Sequence, residues 1–226
     1  MSSDIPFLNE RLAEAARYAL MRRLLPAIRH NIAGSLQPIG MMAAMLERRM
    51  QAAAPDLAQL GKSSQALNTL SREAVATSLN LMNWLAPRDN DLVAVNGAIE
   101  ESLRLVTTEL SFRGFSVINQ TADMQTSLPR GILRSVFTAS LIALTDRVEG
   151  AAKVVVSAEL TDSQTQLKIT LKPGGTAELA GLGGRTQAYR SLDWDDVQEL
   201  AKAEGVSLSY DANCAQLRYR TPVDPG

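Results

Sequence analysis

The sequence predicts an α+β chain: an N-terminal helical hairpin that pairs with a second copy as a dimeric four-helix bundle, followed by a C-terminal α/β sandwich. Three observations predict it. Residues 8–86 are rich in Ala, Leu, Met and Arg and hold two long stretches of helical periodicity. After Pro87, Arg88, Asp89 and Asn90 the pattern changes to short β-rich runs alternating with helices, so domains of 1–88 and 89–226 are expected. The chain has 226 residues, 46% of them hydrophobic. A chain of that size buries roughly 70% of its unfolded surface, enough for one large or two small domains.

In the first helical stretch Leu25, Ile28, Ile32, Ile39, Met42 and Leu46 fall at seven-residue a and d spacings, with Ser35 breaking the seam. Ala52, Ala53, Ala54, Pro55 and Asp56 separate it from a second stretch with Leu60, Leu67, Leu70, Ala74, Leu81 and Trp84 at the same spacings. Two such helices bury only one side of each other. A second hairpin covers the rest, which makes a homodimer through residues 17–86 the economical arrangement.

Beyond the boundary, Asp91 to Val95 reads as a short strand and Asn96 as the cap of a helix running to Arg113, stopped by Gly114. Phe115 to Asn119 is a strand. Pro129 suits a helix first turn, and Ile132, Leu133, Val136, Phe137, Leu141 and Leu144 give the following helix a buried face. Lys153 to Leu160 and Gln166 to Lys172 alternate as strands joined by the turn Thr161, Asp162, Ser163, Gln164. A Gly-rich loop from Pro173 to about Arg185 follows, read as a loop rather than a phosphate cradle because no Lys-Ser/Thr follows it. Asp193 to Glu204 is a helix closed by Gly205, with Asp193, Asp195, Asp196 and Glu199 favoured in its first turns by the helix dipole. Val206 to Tyr210 and Gln216 to Arg220 form the last strand pair, with Cys214 in the turn between them.

Composition excludes several functions. With 23 basic and 24 acidic residues and a net charge of −1, no global field holds a phosphate backbone or an anionic bilayer, so neither nucleic acid nor membrane is an expected partner. One cysteine and one histidine rule out an intrachain disulfide and most thiolate or imidazole metal sites. The N-terminus carries no signal-like segment and no apolar run approaches the ~18 residues that span a bilayer, so a cytoplasmic location is expected.

His30 is the single histidine, and any imidazole chemistry uses it. It falls at heptad position f, facing away from the hairpin seam, where a neutral ring can present a nitrogen to an electrophile. The outward stripe around it holds Ala27, Gly34, Gln37 and Met41, small or uncharged residues where a solvated face normally carries Lys and Glu. With Asn31 beside the histidine and Arg23 two turns before it, these residues make a candidate docking face. Gly34 weakens a helix, and Pro38 removes the amide that would bond the Gly34 carbonyl, so a bend or a close backbone approach is expected there.

The segment Arg29, His30, Asn31, Ile32, Ala33, Gly34, Ser35, Leu36, Gln37, Pro38, Ile39 resembles the H-box of two-component sensor histidine kinases, with its His early in a dimerisation helix and a proline downstream. The order of elements from Asp91 to Arg220 is similar to the catalytic ATP-binding domain of the same kinases. In that family an acidic residue directly follows the phosphorylated His; here Asn31 cannot accept a proton, which argues against autophosphorylation. Where kinases with phosphatase activity carry a Thr or Asn, Gly34 has no side chain. The family's magnesium-binding Asn pair would fall near Ala139 and Ala143, which cannot ligate a metal. Its adenine-binding Asp-x-Gly is replaced by Leu171, Lys172, Pro173, Gly174, Gly175.

A dimerisation and histidine domain joined to an ATP-binding shape without its ligands resembles the dimeric, kinase-derived histidine phosphotransferases of bacterial two-component signalling. The resemblance implies a relay of phosphoryl groups between response-regulator receiver domains through His30. It implies no cofactor of the chain's own, with magnesium supplied by the receiver. The alternatives are a receiver- or kinase-binding scaffold that accepts no phosphate, and a diverged ATP-dependent kinase.

Overall fold

The computed structural model describes residues 4–85, 91–124, 126–161, 164–174 and 191–220. The chain divides into two compact units, one of Leu25–Ala86 and one of Met1–Leu24 with Pro87–Gly226. Helix α1 spans Asp4–Met50 and continues through both Pro26 and Pro38; helix α2 spans Leu57–Leu85. The part of α1 up to Leu24, about six turns, therefore belongs with the α/β unit and the remainder with the hairpin.

In the hairpin unit the a and d positions form the seam. Ile28, Ala74 and Leu81 are buried and Ile32, Ser35, Ile39, Met42, Leu46, Leu60, Leu67 and Leu70 half-buried. At the closed end an Arg49 guanidinium N–H donates to Ser63 Oγ at 2.7 Å, and Asp56 caps α2 by accepting from the Ala58 and Gln59 amides. Leu25, an expected seam residue, is 42% exposed. It lies at the open end of the hairpin, the first residue of that unit. Trp84 lies outside the residues whose side chains are described.

The second unit is built on a five-stranded sheet. Strand β1 (Leu92–Ala94) leads into α3 (Val95–Phe112), followed by β2 (Ser116–Asn119) and β3 (Ser127–Pro129). Next comes a nearly continuous helix: α4 (Arg130–Ile132), a π-helical turn (Leu133–Phe137) and α5 (Thr138–Asp146). Strands β4 (Ala152–Thr161) and β5 (Gln164–Pro173), helix α6 (Trp194–Ala203), β6 (Ser207–Tyr210) and β7 (Cys214–Arg220) complete the unit. The main sheet runs β2-β4-β5-β7-β6, parallel between β2 and β4 and antiparallel elsewhere, while β1 and β3 pair separately.

Three local expectations need correction. Asn96 does not cap α3. The helix begins at Val95, whose amide bonds the Thr126 carbonyl at 2.9 Å, and Asn96 instead donates from its side chain to the Ala122 carbonyl. Pro129 ends β3 and stands just before α4 rather than in its first turn. Cys214 opens β7 opposite Thr170 and is not a turn residue. The Gly-rich loop lies, beyond Gly174, outside the described residues.

Helices cover one face of the sheet. Val154, Val156, Leu167, Ile169, Leu171, Ala215, Leu217 and Tyr219 alternate inward and are buried, as is every residue of α5 from Thr138 to Thr145, with β7 lying against α5. Two of the polar members of α5 bond back along the helix, the Ser140 and Thr145 hydroxyls donating to the Val136 and Leu141 carbonyls, while the buried Thr138 hydroxyl finds no partner among the described residues. Trp194 stacks on Tyr210 with ring centroids 4.0 Å apart, under the Arg147 guanidinium. Gly114 (φ 86°) and Gly205 (φ 66°) end α3 and α6 in the left-handed conformation that glycine tolerates.

Tyr219 gives one testable consequence. Its ring is buried, its hydroxyl finds no hydrogen-bond partner among the described residues, and burial first, then Glu204, pushes its ionisation well above the ordinary tyrosine range. The folded state keeps a proton that the unfolded chain loses at a pH of about 10, so this contribution to stability is whole below pH 10 and decays above it. Tyr219→Phe is expected to match or slightly exceed wild-type stability at pH 7 and to show a shallower alkaline loss. Denaturant titrations at pH 7 and above pH 10 measure both; a variant markedly weaker at pH 7 would show that the hydroxyl has a partner.

Candidate functional site

The site rises from the periodicity of α1. Because its seam faces α2, the turns at +4, +7 and +11 from His30 line up on the outer side. His30, Gly34, Gln37 and Met41 are all exposed there, and Ala27 and Asn31, flanking the ring, are half-buried. Among the described residues no side chain hydrogen-bonds or ion-pairs with the imidazole. The ring is thus positioned by its helix alone, with both nitrogens open to an incoming group.

The backbone around the ring is thinned. A Cβ built on Gly34 meets nothing within 4 Å, so its lack of side chain opens the surface without relieving a clash inside the chain. Pro38 supplies no amide to the Gly34 carbonyl, and the Ser35 hydroxyl donates to the Ile32 carbonyl at 2.9 Å one turn earlier. The helix remains continuous through these residues.

Arg23 is placed differently from the rest of the stripe. It lies in the α/β unit with its side chain 12% exposed, donating to both oxygens of Glu109 and to Asp146 (3.2 and 3.3 Å). Arg113 closes the cluster with a 2.6 Å bond to Asp146 and a second to the Thr145 carbonyl. Burial works against the Arg23 charge, but the carboxylates of Glu109 and Asp146 outweigh it and raise its pKa above the ordinary value. Sequence reading missed this cluster: α1 shows only a basic pair at Arg22 and Arg23, and the partners stand 86 and 123 residues further on.

Other candidate chemistry resolves into structure. Ala139 and Ala143 are fully enclosed in α5, packed as core. The acidic group at 193–196 is a capping box: Asp193 accepts from the Asp195 and Asp196 amides at 3.1 Å, and Asp196 accepts from the Asp193 amide. Among the described residues no helix is long and apolar enough to cross a membrane.

No model of a known protein family matches the chain, and no curated protein matches it. Solved structures do. The chain is similar to the histidine kinase AdeS of Acinetobacter baumannii, at 16% identity over 80% of this chain and 96% of that one, with a TM-score of 0.46. It is similar to a bacterial phosphotransferase at 16% identity over 88% and 94%, TM-score 0.40. It is also similar to the histidine kinase ThkA, crystallised in complex with the response regulator protein TrrA, at 11% identity over 98% and 67%, TM-score 0.42.

Proposed function

We propose that this chain is a histidine phosphotransfer protein that relays phosphoryl groups between response-regulator receiver domains through His30, without using ATP. The observation that carries the reading is the exposed, unbonded imidazole of His30 on a face made of Gly34, Gln37 and Met41. A ring nitrogen attacks the phosphorus of a receiver's aspartyl phosphate in line. The N–P bond forms as the P–O bond to the aspartate breaks, the carboxylate leaves, and the ring's other nitrogen holds or releases the proton. A second receiver reverses the step onto its own aspartate, with magnesium bound by the receiver. Asn31 beside the ring supplies no carboxylate to ready it for ATP, and the buried methyl groups of Ala139 and Ala143, near which the resemblance would put the kinases' magnesium-binding Asn pair, cannot ligate a metal.

The proposal includes a homodimer. Leu36, Met45, Val75, Leu79 and Met82 are exposed on the hairpin of a single chain, more apolar surface than two helices can cover for each other. Light scattering is expected to give twice the chain mass; a monomer at all accessible concentrations would refute the bundle.

The test of function is incubation with a phosphorylated receiver. An acid-labile phosphoryl group is expected to appear on the chain and to pass to a second receiver. A label that never leaves the receiver would establish a scaffold instead, and magnesium-dependent nucleotide binding in a calorimeter would favour a kinase.

A further inference from the structure

The face of the sheet opposite the helices is a second surface that the His30 relay does not use. Strand alternation and register put Lys153, Lys168, Lys172, Arg218 and Arg220 on it, all exposed, against one carboxylate among the described strand residues, Glu159. Lys153 stands directly across from Lys172, a like-charge pair that costs stability. Among the described residues none of the five cations forms an ion pair. Lysines commonly guard sheet edges, but these three lysines and two arginines sit on β4, β5 and β7, the three inner strands, and Lys153, Lys168 and Arg218 each have a paired strand on both sides. On the helical side, by contrast, charges are paired: Glu109, Asp146 and Glu204 are engaged by Arg23, Arg113 and Arg17.

The cations are arranged as a stripe. Along β5 and its partner β7 they occur opposite or at residues 172, 168, 166 and 164, a run of about 27 Å at ~3.4 Å per residue. Arg218 is held against the sheet, its Nε donating to Gln166 at 3.1 Å and a terminal amine to Gln216 at 3.5 Å. Three of its five donors remain for a planar anion such as a carboxylate. Among the described residues the stripe carries no aromatic platform of the kind that holds single-stranded bases, since Trp194, its stacking partner Tyr210 and Tyr219 belong to the helical side, and a broad flat sheet does not enter a duplex groove.

We propose that this open sheet face docks an acidic polypeptide segment, a carboxylate-rich surface of a partner protein laid along β5 and β7. The contact stands apart from phosphoryl transfer and does not require His30. Fluorescence polarisation of the full chain with labelled poly-L-glutamate tests it. Binding is expected at low ionic strength and is expected to weaken as salt rises. The double substitution Lys168→Glu with Arg218→Glu is expected to reduce affinity at least ~10-fold through reversed charge on two stripe positions. Lys168→Arg with Arg218→Lys should retain it, and His30→Ala should bind as wild type. Circular dichroism checks that the variants keep their fold. Failure of the wild type to bind, or equal binding by the charge-reversed variant, would overturn the proposal. Tighter binding of an oligothymidylate through the same two residues would overturn it in favour of a nucleic-acid surface.

Discussion

Replacing His30 with Ala or Gln is expected to abolish acceptance of a phosphoryl group from a phosphorylated receiver, a fall of at least about 1,000-fold in transfer rate if the ring nitrogen is the nucleophile. The size of the effect follows from the neighbours. Ala27, Gly34, Gln37 and Met41 carry no group that can replace an imidazole in attack on phosphorus, and Gln in place of His offers an amide of similar reach but no nucleophilic nitrogen. The same substitutions should leave stability within about 0.5 kcal/mol, because the ring is exposed and unbonded and its removal opens no cavity. Loss of transfer with an unchanged denaturation midpoint therefore separates a chemical role from a structural one. A His30→Ala protein that still took up an acid-labile label would end the relay reading.

Why His30 could be placed from sequence, and Arg23 could not, is a matter of which forces are local. Heptad spacing fixes the faces of α1 relative to α2 within a few turns, so the outward side of the hairpin is legible from residues 25–50 alone. Helix ends marked by Gly114 and Gly205 are legible for the same reason, since the left-handed residue that stops a helix adjoins it. The β4–β5 hairpin follows from alternation, and Thr161 does pair with Gln164. What escaped depends on distant chain. Strand β3 has three residues and no alternation to show; it exists because Leu92 to Ala94 lie beside it in the fold. Asn96 looks like a cap, but α3 starts one residue before it, at Val95, whose amide is held by the Thr126 carbonyl thirty-odd residues downstream. The first turns of α1 carry Ala13, Ala16, Leu20 and Leu24 as one buried stripe, a pattern equally consistent with the hairpin seam. Only the partners of Arg17 and Arg23 reveal that this stripe belongs with the α/β unit.

Arg23→Leu should be the most damaging single change at that junction, lowering the stability of the α/β unit by about 2 kcal/mol, below the 3–5 kcal/mol seen for fully buried pairs because Glu109 and Asp146 stay partly exposed (36% and 26%). The mechanism is loss of compensation rather than loss of attraction. Glu109 is in the last turn of α3 and Asp146 ends α5, each at the negative end of its helix dipole, where a negative side chain is already unfavourable. Arg23 and Arg113 together neutralise them; with Arg23 gone, Arg113 serves two carboxylates, 2.6 Å from Asp146 and 3.6 Å from Glu109. Leucine retains the hydrocarbon cover over these helix ends, so packing is not the variable. A double-mutant cycle isolates the charge effect: Arg23→Leu combined with Glu109→Gln should recover part of the loss, because Arg113 no longer has two carboxylates to balance. If Arg23→Leu left the denaturation midpoint unchanged, or Glu109→Gln failed to offset it, the cluster would not be what fastens the first turns of α1 to their unit.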